Sequence, residues 1–157
     1  LSQINRWRTI CPEISIRSTF IVGFPGETEA EFEYLLQWLD MANIDRVGCF
    51  KYENIDGARA NNLESQVPEE IKEERFHRFM SKAKKISKRK LKEKVGKKIS
   101  CIVDKVDKDF LRCRTIYDAP EIDGIVKVIN PGKGFFTGDI LNVSITKSLD
   151  YDLEGKV

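Results

Sequence analysis

Apolar residues along this 157-residue chain recur first with helix and strand periods in alternation and then with a strand period alone. Residues 14–23 (ISIRSTFIVG) are rich in β-branched side chains and predict a strand. A Gly-Phe-Pro-Gly turn follows, and Thr28 and Glu31 have the spacing of a capping box, in which hydroxyl and carboxylate satisfy free amides at a helix start. Phe32, Leu35, Leu36 and Leu39 fall at i, i+3, i+4 and i+7, so the helix buries one face. Residues 46–52 (RVGCFKY) predict the next strand. Such a β-α-β unit has parallel strands and a right-handed crossover. Residues 56–68 are polar and turn-rich, a loop. Pro68-Glu69-Glu70 then predicts a second helix, with Pro68 at its first position and the acids at the positive end of its dipole. Ile71, Phe76, Phe79, Met80, Ala83 and Ile86 form its expected buried stripe. His77 lies beside that stripe, where a histidine is more often a surface or core-edge residue than a ligand.

After Val95-Gly96 the pattern becomes all-β. Residues 98–104, 110–115, 124–129 and 139–146 predict short strands, and residues 151–157 supply a fifth. Asp118-Ala119-Pro120 and Asn130-Pro131-Gly132 are chain breakers between them. Five short strands fit a small closed barrel of the OB type, which leaves no exposed sheet edge. The fold class expected is α/β plus all-β, with a boundary between residues 1–84 and 85–157.

Composition changes this picture in three places. Net charge is +2, yet residues 82–98, from Lys82 to Lys98, carry ten lysines or arginines against the single Glu93. Such a run suits nucleic acid or a solvated helix face. Cys11, Cys49, Cys101 and Cys113 are widely and irregularly spaced. Iron–sulfur and zinc sites need thiolates converging from closely placed positions, so no metal ligand is assigned; cysteines within apolar runs pack as small hydrophobes. No apolar stretch reaches membrane-spanning length, and an opening of Leu1-Ser2-Gln3, without initiator Met or leader, reads as a fragment.

Chemistry concentrates in three segments. TFIVGFPGET, residues 19–28, is a strand ending in two glycines around a proline, and ligands in α/β sheets lie at that end of the strands. It is equally a tight turn with no ligand, since GFPG is not a phosphate-binding fingerprint. The segment closely resembles the fifth strand and following turn of radical-SAM enzymes of the methylthiotransferase family. DRVGCFKY with its Gly-Ala and Ala-Asn loop and VPEEIKEER, and then DAPEIDG at residues 118–124, resemble the branch that acts on ribosomal protein S twelve. The resemblance runs in order along essentially the whole chain.

It implies the last β/α units of a partial (β/α)6 radical-SAM barrel followed by a five-stranded, OB-like TRAM barrel. It implies S-adenosylmethionine as cofactor, with Ile21, Val22 and Gly23 near the adenine. Arg17 is a candidate for the carboxylate or ribose, since a guanidinium binds a carboxylate bidentately, or for a protein acid. It implies two [4Fe–4S] clusters whose ligands are absent from this chain, and therefore no catalytic residue here and a fragment inert by itself. The implied reaction methylthiolates the β-carbon of an aspartate in a basic ribosomal protein, in the cytoplasm, away from membranes. Contact with ribosomal RNA through Lys82 to Lys98 on an assembling small subunit is a further expectation. Asp118, Glu121 and Asp123, with Asp150, Asp152 and Glu154, would attract a basic protein and repel RNA if they share a face; acids also favour turns for local reasons, and the two readings stand side by side. The rival functions are a tRNA adenosine methylthiotransferase and a non-catalytic module that binds RNA or protein.

Overall fold

The computed structural model describes residues 1–129, 131–132 and 134–157. Asn130, the first residue of the Asn130-Pro131-Gly132 breaker, lies outside the described residues. The chain divides into two units, Leu1–Ile86 and Ser87–Val157.

In the first unit, helix α1 (Ser2–Ile10) precedes strand β1 (Arg17–Val22), helix α2 (Glu29–Ala42), strand β2 (Arg46–Lys51), a single 3-10 turn (Arg59–Asn62) and helix α3 (Glu69–Lys92). The strands pair in parallel, from Arg17 opposite Arg46 to Val22 opposite Lys51. The capping box at Thr28 and Glu31 is present in full, and α2 ends at Asn43 in the left-handed conformation, at φ 46°. Val22, Phe32, Leu36, Leu39, Phe79, Ala83 and Ile86 form one core, with Phe20, Val47 and Cys49 packed against it. Both helices therefore cover the same face of the two strands.

Three local expectations are corrected. Helix α1 is not announced by the sequence pattern, because its apolar residues Ile4, Trp7 and Ile10 are sparse and only Ile4 is buried. It is tied down by charge instead: Arg8 donates to the carbonyls of Ala42 and Asn43, both at 2.7 Å, at the negative end of α2. Pro68 is not the first helical residue but precedes Glu69, its carbonyl accepting from the amides of Ile71 and Lys72. The stripe of α3 is displaced at its start: Ile71 is exposed, whereas Lys72 and Arg75 are buried. His77 is exposed and contacts Glu73 at 2.8 Å.

The second unit begins with the last residues of α3. Strands β3 (Lys98–Val106), β4 (Phe110–Thr115), β5 (Val126–Ile129), β6 (Ile140–Ser148) and β7 (Leu153–Lys156) close a barrel in the order β3-β4-β5-β7-β6. All neighbours are antiparallel except β5 and β7. Inward positions alternate along each strand, and Cys101, Val103, Leu111, Cys113, Val126, Val128, Val143, Ile145 and Leu153 fill the interior with Leu91 of α3. Strand β5 starts two residues later than expected. Gly124 lies so close to the chain at Tyr151 that a β-carbon there would sit 1.8 Å from the Tyr151 carbonyl oxygen. Asp152 takes the next free amide, that of Ile125, at 2.8 Å.

Gly124→Ala must therefore push the β7 approach aside, an overpacking cost of about 1–3 kcal/mol or more. Gly138→Ala enters open space and meets only its positive φ, at a cost of about 1–2 kcal/mol. Urea midpoints of the two variants should fall in that order, with Gly124→Ala the lower.

Candidate functional site

Alternation along β1 turns Ser18, Phe20 and Val22 toward the helices and leaves Arg17, Thr19 and Ile21 on the open face. The partners of those three in β2 are Arg46, Gly48 and Phe50. Ile21 is 54% exposed and Phe50 65%, side by side at the carboxyl end of the strands. This is an apolar shelf with small neighbours, Thr19 and Gly48, behind it. Arg17 lies on the same face four residues earlier, about 13 Å away at strand rise. The open face thus carries an apolar pair at one end and a guanidinium at the other. Val22, by contrast, is fully buried on the helix side, so only its backbone borders the shelf.

The turn after β1 is built around two left-handed glycines, Gly23 at φ 73° and Gly26 at φ 85°. Glycine at position 23 answers to the protein itself: a β-carbon there would meet the Lys72 Cγ at 2.4 Å. The Gly23 amide donates to Glu27 Oε2 at 2.7 Å, and Arg75 Nη1 donates to the same oxygen at 2.7 Å and to the Glu27 carbonyl at 3.0 Å. Gly26 donates to the Ser65 carbonyl at 2.9 Å. Beside the turn, Phe24 meets Tyr52 edge-on at 5.2 Å, the Lys72 ammonium lies 5.5 Å from the Tyr52 ring centroid, and the Tyr52 hydroxyl donates to Asn61.

Charges around this end are paired. Hydrogen bonds that Lys51 donates to Glu69 and to Glu73 hold it charged well above the ordinary lysine range, and Lys51 in turn lowers both carboxyls. A hydrogen bond from Arg78 lowers Glu29. Glu27, Lys72 and Arg75 are the residues that sequence reasoning missed. Their signal was the phase of α3: counting back from Ile86 and Ala83 through Phe79 reaches positions 75 and 72, not 71.

The acids of the barrel are placed differently. Asp118 is buried and its Oδ2 accepts from the Thr115 hydroxyl at 2.6 Å and from the Thr115 amide at 3.3 Å. Asp123 accepts from the Ala119 amide at 2.7 Å. Glu121 is exposed at φ 64°, next in sequence to the strongly exposed Ile122; Ile116, at the start of the same loop, is also strongly exposed. Asp150 faces Lys88 at 3.5 Å, and Glu154 faces Lys147 at 3.6 Å. Turn chemistry thus occupies Asp118 and Asp123, and Glu121 presents its carboxylate outward. In the basic run Lys82 pairs with Asp40, while Lys84, Lys85, Lys88, Arg89 and Lys92 are exposed along α3.

Cys11 is exposed, Cys49 half-buried, and Cys101 and Cys113 buried; all are free thiols. Burial pushes Cys49 and Cys101 up to about 12 and Cys113 to about 11. Among the described residues no three of His, Cys, Asp and Glu converge as a metal site. The donors present therefore do not gather for an iron–sulfur cluster, whereas the exposed apolar pair Ile21 and Phe50 is a surface of the kind a flat ring can lie against.

Residues 95–157 match the family model of the TRAM domain. Over its length the chain is similar to three proteins named ribosomal protein uS12 methylthiotransferase RimO. That of Cereibacter sphaeroides is 56% identical over 156 residues, covering 99% of this chain and 34% of the relative. That of Paracoccus denitrificans is 54% identical over 157 residues, covering 100% and 34%. That of Histophilus somni is 52% identical over 158 residues, covering 100% and 36%. The chain spans about a third of the length of the curated relatives it matches, their C-terminal part.

At pH 8 a thiol reagent should label Cys11 rapidly and leave Cys49, Cys101 and Cys113 unlabelled until the protein unfolds. Because the barrel thiols hold their protons more tightly folded than unfolded, their contribution to stability is complete below pH 9.0 and declines as pH rises from there toward about 12. Urea midpoints across that window check the sign.

Proposed function

We propose that this chain, with its TRAM domain at residues 95–157, is the C-terminal part of a uS12 methylthiotransferase working by radical S-adenosylmethionine chemistry in the cytoplasm. The observation that carries the reading is 52–56% identity to proteins of that name across 99–100% of the chain. When bound, S-adenosylmethionine and its iron–sulfur partner supply the radical and the methyl group. What this chain's residues do is narrower. Ile21 and Phe50 offer a flat apolar surface to the adenine and exclude water from one of its faces, Gly23 borders it with backbone, and Arg17 lies where the cofactor's carboxylate or ribose extends. In this reading the ligands of both [4Fe–4S] clusters are not among this chain's residues, and the chain by itself is inert.

The TRAM barrel takes the ribosomal protein in this reading. Glu121, exposed on the loop, is the acid of the DAPEIDG loop available to a basic partner, while Asp118 and Asp123 hold the loop's shape. The exposed positions along α3 favour an additional contact with ribosomal RNA, since phosphates are attracted to a row of lysines. Among the described residues no helix is long and apolar enough to cross a membrane.

The full-length protein, loaded with clusters and given S-adenosylmethionine, reductant and a sulfide source, should place a methylthio group on an aspartate of uS12 and leave tRNA unmodified, as read by mass spectrometry. Methylthioadenosine in tRNA beside unmodified uS12 overturns the assignment, and modification of neither leaves the binding-module reading in its place.

A further inference from the structure

Arg75 is 4% exposed, and its Nε is a buried donor with no hydrogen-bond partner. A buried guanidinium with an orphaned N–H is a poor device for stability, since well-packed apolar residues often serve as well or better. Its neighbour one turn along, Arg78, shows the ordinary alternative: it lies nearer the surface and pairs with Glu29, Glu33 and Glu74. What Arg75 has and Arg78 lacks is the turn after β1. One nitrogen holds both the Glu27 carboxylate and the Glu27 carbonyl, and that carboxylate in turn holds the Gly23 amide. Lys72, one turn earlier on α3, lays its stem against Gly23. Two buried cations of one helix thus grip both ends of the Gly23–Glu27 turn from behind, on the side away from the open face.

We propose that Arg75 is a positioning residue for the cofactor shelf: acting through Glu27, it fixes the backbone at Gly23 and so sets the affinity for S-adenosylmethionine without touching it. The inference rests on the S-adenosylmethionine reading above. A turn carrying two positive-φ glycines has many alternative shapes, and a charge-assisted clamp, one nitrogen donating to both the carboxylate and the carbonyl of Glu27, selects one of them.

The test compares Arg75→Ala, Arg75→Lys, Glu27→Gln and Arg78→Ala in the full-length, cluster-loaded protein. Equilibrium binding of labelled S-adenosylmethionine is measured beside thermal melting, at temperatures where each variant is folded. Arg75→Ala should weaken binding at least tenfold, and Arg75→Lys and Glu27→Gln by intermediate factors. Arg78→Ala, which also loses ion pairs to α2, should bind as the parent does. Equal affinity in Arg75→Ala and the parent overturns the proposal, as does a loss that Arg78→Ala shares at matched melting temperature. If Arg75→Ala does not fold, Glu27→Gln decides, because it keeps the side-chain shape, and unchanged binding there overturns the proposal too. A parent protein that binds no S-adenosylmethionine overturns the underlying reading instead, a result distinct from the others.

Discussion

The first unit depends on how it disposes of a buried charge. Removing a guanidinium from water costs several kcal/mol unless oxygens replace the solvent, and Arg75 finds them in a single residue, Glu27, with Glu29 3.4 Å from its other terminal nitrogen. The Phe32 ring lies 5.5 Å away and closes the remaining side. These contacts bring α3 against the start of α2 and the end of β1 together. The core of Phe20, Val22, Phe32 and Phe79 can then fill in around a geometry already chosen. Hydrophobic burial supplies most of the free energy here, as it does in any domain, but it is not directional. The ion pair chooses which arrangement is buried.

The open face of β1 and β2 follows from the same choice. With α2 and α3 both on one side, Ile21 and Phe50 have no partner within the described residues, and a two-stranded sheet cannot cover them itself. An apolar shelf beside a left-handed turn suits a flat ring, and the charges nearby at Lys51, Glu69 and Glu73 are already matched to one another. The barrel solves its own edge problem by closure. Among its acids Asp118, Asp123 and Asp152 accept from backbone amides, while Asp150 and Glu154 face lysines.

Regular elements were legible in the sequence because each is signalled by local periodicity. The capping box at Thr28, the alternation in residues 17–22 and the five strands after Gly96 stand where the pattern places them, within a few residues. What escaped was whatever depends on tertiary neighbours. Helix α1 buries one side chain and is anchored by Arg8 to the end of α2, a contact over thirty residues away that no window detects. Lys72 and Arg75 were not singled out by the sequence and are buried against the turn after β1. Gly23 suited a ligand or a tight turn alike on sequence, and a β-carbon there would meet Lys72. At Asp118 and Asp123 the residue type allowed two explanations, and only hydrogen-bond geometry separates them.

Strand β7 lies between β5 and β6 in the barrel, although it is last in sequence. It pairs in parallel with one neighbour and antiparallel with the other. During synthesis, therefore, β3 to β6 can emerge and pair along their available edges, but β5 and β6 have no common neighbour until Leu153–Lys156 are free of the ribosome. Until then the nascent chain carries an open sheet with its apolar interior unsealed. Closure of the barrel thus waits on Leu153–Lys156, the strand that joins two edges already formed.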